Sequence, residues 1–202
     1  MIIGMSGFIG SGKNTAADYL CQNGFVQQSF ASSLKDAVSA VFGWRRDLLE
    51  GETSASRYFR ETVDQWWAER LGMPDLTPRL ILQLWGTDVI RHHFHDDMWI
   101  ASLEHKLIKS TEDTVISDCR FKNEGEMIQR AGGIQIWVQR GNLPVWYQTA
   151  CDDLINNTNI MEISYPRVHK SEWSWLNNKF DYTIFNNGST QDLFSQLERI
   201  IR

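Results

Sequence analysis

The sequence predicts an α/β domain built on a five-stranded parallel sheet with helices on both faces. Three observations carry this expectation. Short apolar runs rich in β-branched residues alternate with segments of helical period along the chain. The first run, residues 1–5, passes through a glycine-bearing loop at 6–12 directly into a helix opened by Lys13. The 202 residues suffice for one such domain with a sizeable core and a small insertion.

Residues 1–20 read MIIGMSGFIGSGKNTAADYL, the stretch on which the rest is organised. Gly7-x-x-x-x-Gly12-Lys13 fits the P-loop pattern in the context it requires, strand before and helix after. Glycine permits positive φ and close approach, so successive N–H groups can turn inward on a polyphosphate. The helix N-terminus adds its dipole and orphan donors, and a lysine there reaches the β- and γ-phosphates. Gly7, Gly10, Ser11, Gly12, Lys13, Asn14 and Thr15 are therefore the expected ATP-binding cradle. Asn14 stands where Ser or Thr usually ligates Mg²⁺; an amide oxygen can meet that hard cation directly or through water. Without a ligand, the same residues would be a glycine-rich strand–helix turn.

The remaining elements follow in order. Residues 25–30 read as a second strand and 31–41 as a helix with Leu34, Val38 and Val41 on one face. Residues 43–78 are charged, aromatic and turn-punctuated, with a helical stretch near 58–71, and read as an excursion from a core at about 1–42 and 79–202. Thr77-Pro78 is a helix start, leading into 79–93 and then 96–108. Strands are expected at 114–118, 134–139 and 181–185, and helices at 121–131, 171–178 and 190–201. The irregular segment 140–168 is the expected lid. Ligands bind beyond the carboxyl ends of such strands, where the P-loop, Asp118 and the turn at 186–189 all fall.

Composition narrows the partners. A formal net charge of −5 and a pI near 5.5 argue against general nucleic-acid binding. Three scattered cysteines without metal-ligand spacing read as reduced thiols, which suits a cytoplasmic protein. No apolar run reaches membrane-spanning length, and the P-loop strand occupies the place of a leader. The tryptophan-rich region 43–99 offers an apolar face on which a homodimer could form.

Asp118 closes a strand where P-loop proteins place an acidic group for Mg²⁺; its alternative is a helix N-cap. Arg120, at the same rim, can clamp phosphate bidentately. Arg79 lies in the first turn of its helix, against the dipole preference, which hints at an anionic partner. Arg140 directly follows a core strand and can reach phosphates from a lid. Arg45, Arg46, Arg57 and Arg60 read as solvated, and His92, His93 and His95 lack metal-site spacing.

Taken together, GFIGSGKNTAADYL, FASSLKDAV, LQLWGTDVIRHHF with Trp99, VISDCRFKNEGEMI, HKSEW at 169–173 and FNNGS at 185–189 resemble the phage-type deoxynucleoside monophosphate kinases. The blocks occur in family order over nearly the whole chain. Relatives commonly carry an acidic residue and then threonine after the P-loop lysine, so Asn14-Thr15 keeps the threonine and removes a charge. The resemblance implies transfer of the γ-phosphoryl of ATP to the 5′-phosphate of a deoxynucleotide, with Mg²⁺. It implies catalytic roles for Lys13, Arg79, Asp118, Arg120 and Arg140, and metal contacts from Asn14 and Asp118. Lys35, Asp36, Arg79, Asp88, Arg120 and Glu172 are implied in acceptor binding, the base being read within 43–78; Asn187 and Gly188 are implied beside the adenine. Encoded by a phage, such an enzyme would work in the host cytoplasm. Two other readings stay open: a P-loop kinase for a dephospho-coenzyme A-like or phosphomevalonate-like acceptor, and a non-catalytic nucleotide sensor.

Overall fold

The computed structural model describes residues 1–201. Along the chain run β1 (Ile2–Ser6), α1 (Lys13–Gln22), β2 (Val26–Gln28), α2 (Ser32–Phe42), α3 (Ser54–Glu61), α4 (Gln65–Leu71) and α5 (Pro78–Gln83). There follow α6 (Met98–Leu107), β3 (Thr114–Ile116), α7 (Lys122–Arg130), β4 (Ile134–Gln139), α8 (Tyr147–Asn156), α9 (Ile160–Ser164), β5 (Tyr182–Phe185) and α10 (Thr190–Ile201). The chain divides into two compact units, one made of Met1–Ser29 and the residues from Leu103 onward, the other of Phe30–Ser102.

The first unit holds the five-stranded sheet, all parallel, in the order β2-β3-β1-β4-β5. Central β1 pairs Ile3 with Val115 on one side and with Ile134 on the other. The interior strands β1 and β3 are buried almost throughout, as an all-parallel sheet covered by helices requires, whereas the edge strands β2 and β5 are largely half-buried or exposed. Ile3, Met5, Val115, Ile136, Val138 and Ile184 pack with Ala16, Ala17 and Leu20 of α1 and Leu193 and Leu197 of α10. Gly4 keeps α7 close, since a Cβ there would collide with Ile128. The expected fold class is the observed one.

The second unit is helical around Leu34, Val38, Phe42, Trp44, Leu49, Leu76, Ile81, Leu82 and Trp99. The single helix expected near 58–71 is two. The first ends at Glu61, and Asp64 begins the second as its N-cap, accepting the Trp67 N–H at 3.2 Å while its other oxygen takes the Trp44 indole N–H at 2.7 Å. The regular helix expected over 79–93 becomes π-helical over Leu84–Phe94, where the Trp99 indole donates to the Gly86 carbonyl at 2.9 Å.

Two further expectations are corrected in the first unit. Segment 140–168 is not irregular: it contains α8 and α9, whose Ala150 and Met161 pack with Trp173. Buried Asp153 joins them by accepting the Ile160 and Met161 N–H groups at 2.9 and 2.7 Å. The helix expected over 171–178 is a pair of 3-10 turns, Lys170–Glu172 and Ser174–Asn177. No helix among the described residues is long and apolar enough to cross a membrane.

Candidate active site

The loop between β1 and α1 takes positive φ at Gly7, Gly10 and Gly12. At Gly7 a Cβ would strike the Val138 carbonyl oxygen, so the loop lies against β4 with no room for a side chain. Gly12, at φ +100°, begins α1 without a side-chain cap. A free helix N-terminus with inward N–H groups is an anion site. Ser11 Oγ, buried in this loop, has no hydrogen-bond partner. Lys13 folds back, its Nζ donating to the Gly7 and Phe8 carbonyls at 2.7 and 3.0 Å. Burial, and then the Arg120 charge, lower its pKa from 10.5 to about 8, while Glu172 works in the opposite direction. Asn14 and Thr15 are exposed on the first turn of α1.

The segment after β3 forms the facing wall. β3 ends at Ile116, two residues before Asp118, and the chain is then stitched to β1: the Cys119 N–H donates to the Met5 carbonyl at 3.3 Å and Ser6 Oγ donates to the Cys119 carbonyl at 3.0 Å. Asp118 does not cap α7; its Oδ2 accepts from Ser29 Oγ at 2.6 Å. Buried Glu124 reaches back instead, accepting the Arg120 and Phe121 N–H groups at 2.6 and 3.1 Å. The Arg120 guanidinium donates to Glu172 at 3.1 Å. Burial, with the Glu124 and Asp118 charges, pushes the Cys119 thiol well above its usual range.

The turn after β5 completes the rim. Asn186 Nδ2 donates to the Ser11 carbonyl at 2.9 Å, and Asn187 Oδ1 accepts the Gly141 N–H at 2.7 Å. Arg140 is exposed beside that turn's partner loop. Phe8, inside the P-loop, sits edge-on to Trp146, Tyr147 and Trp175 at centroid distances of 5.5, 6.4 and 5.0 Å.

The first unit thus holds Lys13, Arg120 and Glu172, with Ser11 and Asp118 two residues before the first two and Asn186 bonded to Ser11 from the turn after β5. Asn14 and Asp118 offer an amide and a carboxylate oxygen, the hard donors that Mg²⁺ takes alongside phosphate and water. That donor set fits the ion.

Lys35, Asp36, Arg79 and Asp88 belong to the second unit. Lys35 pairs with Glu50, which also holds Arg46, and Arg46 Nε donates to Asp36 at 2.6 Å. Burial opposes ionisation of Glu50, yet the Lys35 and Arg46 pairs leave its pKa lowered. Arg79 pairs with Glu61 at 2.6 Å, and Asp88 is exposed on the π-helical stretch. Of the arginines read as solvated, Arg46 bridges Asp36 and Glu50, Arg60 donates to the Glu50 carbonyl at 3.2 Å, Arg45 pairs with Asp47, and Arg57 donates to the Gly51 and Glu52 carbonyls. Ser29 escaped the sequence reading because its Asp118 partner lies 89 residues away, and Glu50 because its Lys35 partner lies 15 residues away. The reach-back of Glu124, by contrast, follows a local capping-box spacing.

No family model matches the chain. It is 31% identical, over 98% of its length and 94% of the relative's, to a protein of Acanthamoeba polyphaga mimivirus named deoxynucleotide monophosphate kinase. Against the deoxynucleoside-5′-monophosphate kinase of Escherichia phage T5 it is 37% identical over 62 residues, 30% of this chain and 25% of that one. Among solved structures, TT1252 from Thermus thermophilus aligns over 100% of this chain and 96% of its own at 16% identity, with a TM-score of 0.47. The near full-length identity with the mimivirus protein, in a chain whose glycine loop, lysine and arginine wall stand together, makes it a member of the deoxynucleotide monophosphate kinase family.

Proposed function

We propose that the protein transfers the γ-phosphoryl group of ATP to the 5′-phosphate of a deoxynucleoside monophosphate, giving the diphosphate and ADP. The observation that supports the proposal is a glycine loop with Lys13 folded onto its Gly7 and Phe8 carbonyls, in a chain similar over nearly its whole length to the mimivirus protein. A phosphate oxygen of the acceptor attacks the γ-phosphorus while the bond to the β–γ bridging oxygen breaks and ADP leaves. Such a transfer asks the protein for alignment and charge neutralisation rather than covalent chemistry.

Each residue has a role on this reading. Gly7, Gly10, Ser11, Gly12 and Thr15 hold the donor phosphates, and Lys13 leaves its loop carbonyls for the β- and γ-oxygens. Arg120 meets the transferring group. Asn187 and Gly188 border the adenine. Asn14 and Asp118 would hold Mg²⁺, which when bound supplies charge neutralisation on the phosphates. Lys35, Asp36, Arg79 and Asp88 contact the acceptor, whose phosphate competes with Glu50 and Glu61 for the two cations. Arg140, with the 140–168 segment as a lid, helps to exclude the water that would otherwise hydrolyse ATP. Exposed Tyr58, Trp66 and Phe94 support a homodimer, and substrates of this kind place the enzyme in the cytoplasm, that of the host if it is phage-encoded.

The test is ADP release from Mg-ATP with each deoxynucleoside monophosphate in turn, against ribonucleotide, dephospho-coenzyme A and no-acceptor controls. ADP formed with one or a few deoxynucleotides is expected. Release at the no-acceptor level with every deoxynucleotide would overturn the reading.

A further inference from the structure

The two turns Lys170–Glu172 and Ser174–Asn177 are pinned far more firmly than a surface connection needs. His169 Nδ1 accepts the Ser171 N–H at 3.3 Å and pairs with Ser171 Oγ at 2.8 Å. Ser174 Oγ donates to the Lys170 carbonyl at 2.9 Å, and the Trp175 indole donates to the Glu172 carbonyl at 2.8 Å. Trp175 is itself buried, against Phe8 of the P-loop and Trp137 of β4. This scaffold presents one carboxylate, and Glu172 spends it on Arg120. Arg120 is thereby gripped twice, its backbone N–H by Glu124 and its guanidinium by Glu172. A half-exposed pair of this kind contributes little to stability, so its value lies in where it leaves the guanidinium.

We propose that Glu172 is a positioning residue for phosphoryl transfer: it holds the Arg120 guanidinium beside Lys13, so that two cations stand together at the phosphate site before ATP arrives. Alone, the two like charges repel, and an unheld arginine would swing into solvent. The Glu172 carboxylate neutralises the pair in the empty site, and ATP exchanges its γ-phosphate oxygens for that carboxylate. Glu172 therefore acts through Arg120 and does not touch the acceptor. The inference rests on the phosphoryl-transfer reading above and is independent of which acceptor is used.

The experiment is a double-mutant cycle of Glu172→Gln and Arg120→Gln, reading ATP affinity, acceptor-dependent ADP release and the slow hydrolysis of ATP by water. Glu172→Gln is expected to lower kcat about tenfold while ATP binds as tightly or more tightly, because an anion has been removed from beside a polyanion. A merely structural loss would weaken ATP binding and lower the melting temperature as well. In the Arg120→Gln background the same change is expected to cost nothing further. Glu172→Asp, which keeps the charge on a shorter arm, should lose less than Glu172→Gln. Multiplicative losses in the double variant, or equal loss in Asp and Gln, would overturn the proposal. Should the wild type release no ADP with any deoxynucleotide, the acceptor reading fails, while the coupling of residues 120 and 172 is still read from hydrolysis.

Discussion

Asn186 Nδ2 donates to the carbonyl oxygen of Ser11 at 2.9 Å across 175 residues of sequence. The turn after the last strand thus holds the P-loop in shape, and Gly12 is glycine partly because a Cβ there would meet that same Nδ2. Replacing Asn186 by Ala removes the tie and frees the loop to collapse when empty. ATP affinity should fall about fivefold, the order of one neutral hydrogen bond near 1 kcal/mol. Calorimetric titration of the variant checks this, and wild-type affinity would show that the loop holds itself.

Lys13 gives the site a pH signature. Its amine titrates near 8 in the nucleotide-free protein because burial and Arg120 disfavour the charged form. A bound polyphosphate favours that form, so the bound-state pKa is higher and binding takes up a proton above about pH 8. The Kd for ATP should be flat below that pH and rise above it. Calorimetry at about pH 8.5 in buffers of different ionisation enthalpy should show the uptake directly. Arg120→Gln should move the midpoint upward, since one lowering charge is gone. A Kd independent of pH across this range would mean that Lys13 is not what holds the phosphates.

Glu124 carries the wall opposite the lysine. Its buried carboxylate accepts two N–H groups at the start of α7, and both bonds are lost in Glu124→Ala. Stability should drop by about 1–2 kcal/mol, in line with two part-buried hydrogen bonds lost together. Glu124→Gln, which keeps the acceptor geometry, should recover part of that. Denaturant unfolding of both variants decides whether the carboxylate is structural in this sense.

Legibility in the sequence followed the range of the interaction. The P-loop, the apolar strands and the reach-back spacing at Glu124 are local patterns, and all three stood in the chain as written. The break at Asp64 was hidden because it needs Trp44, twenty residues away. Helices α8 and α9 were hidden because their shared interior is built around a buried carboxylate, Asp153, which interrupts the apolar period. The Lys35–Glu50 pair is likewise tertiary, as is the grip of Glu172 on Arg120, whereas Arg46 and Glu50 stand four residues apart and pair locally. Charged residues read singly look solvated; only the fold shows which of them are spoken for.

Phe8 couples the phosphate loop to the aromatic side chains of the 140–177 region. It is the one aromatic residue of that loop, whose Ile9 is exposed, and Trp146, Tyr147 and Trp175 take it edge-on. Such pairs contribute about 0.5–1.5 kcal/mol each beyond buried area. Phe8→Ala should therefore cost about 2 kcal/mol of stability, and Phe8→Leu about half of that. The loop's N–H groups lose their fixed aim in the alanine variant, so ATP affinity should fall in parallel. Because Trp146 and Trp175 flank the ring, ATP binding in the wild type should change tryptophan fluorescence, and the change should vanish in Phe8→Ala. A fluorescence response surviving that substitution would place its source in another tryptophan and remove Phe8 as the link.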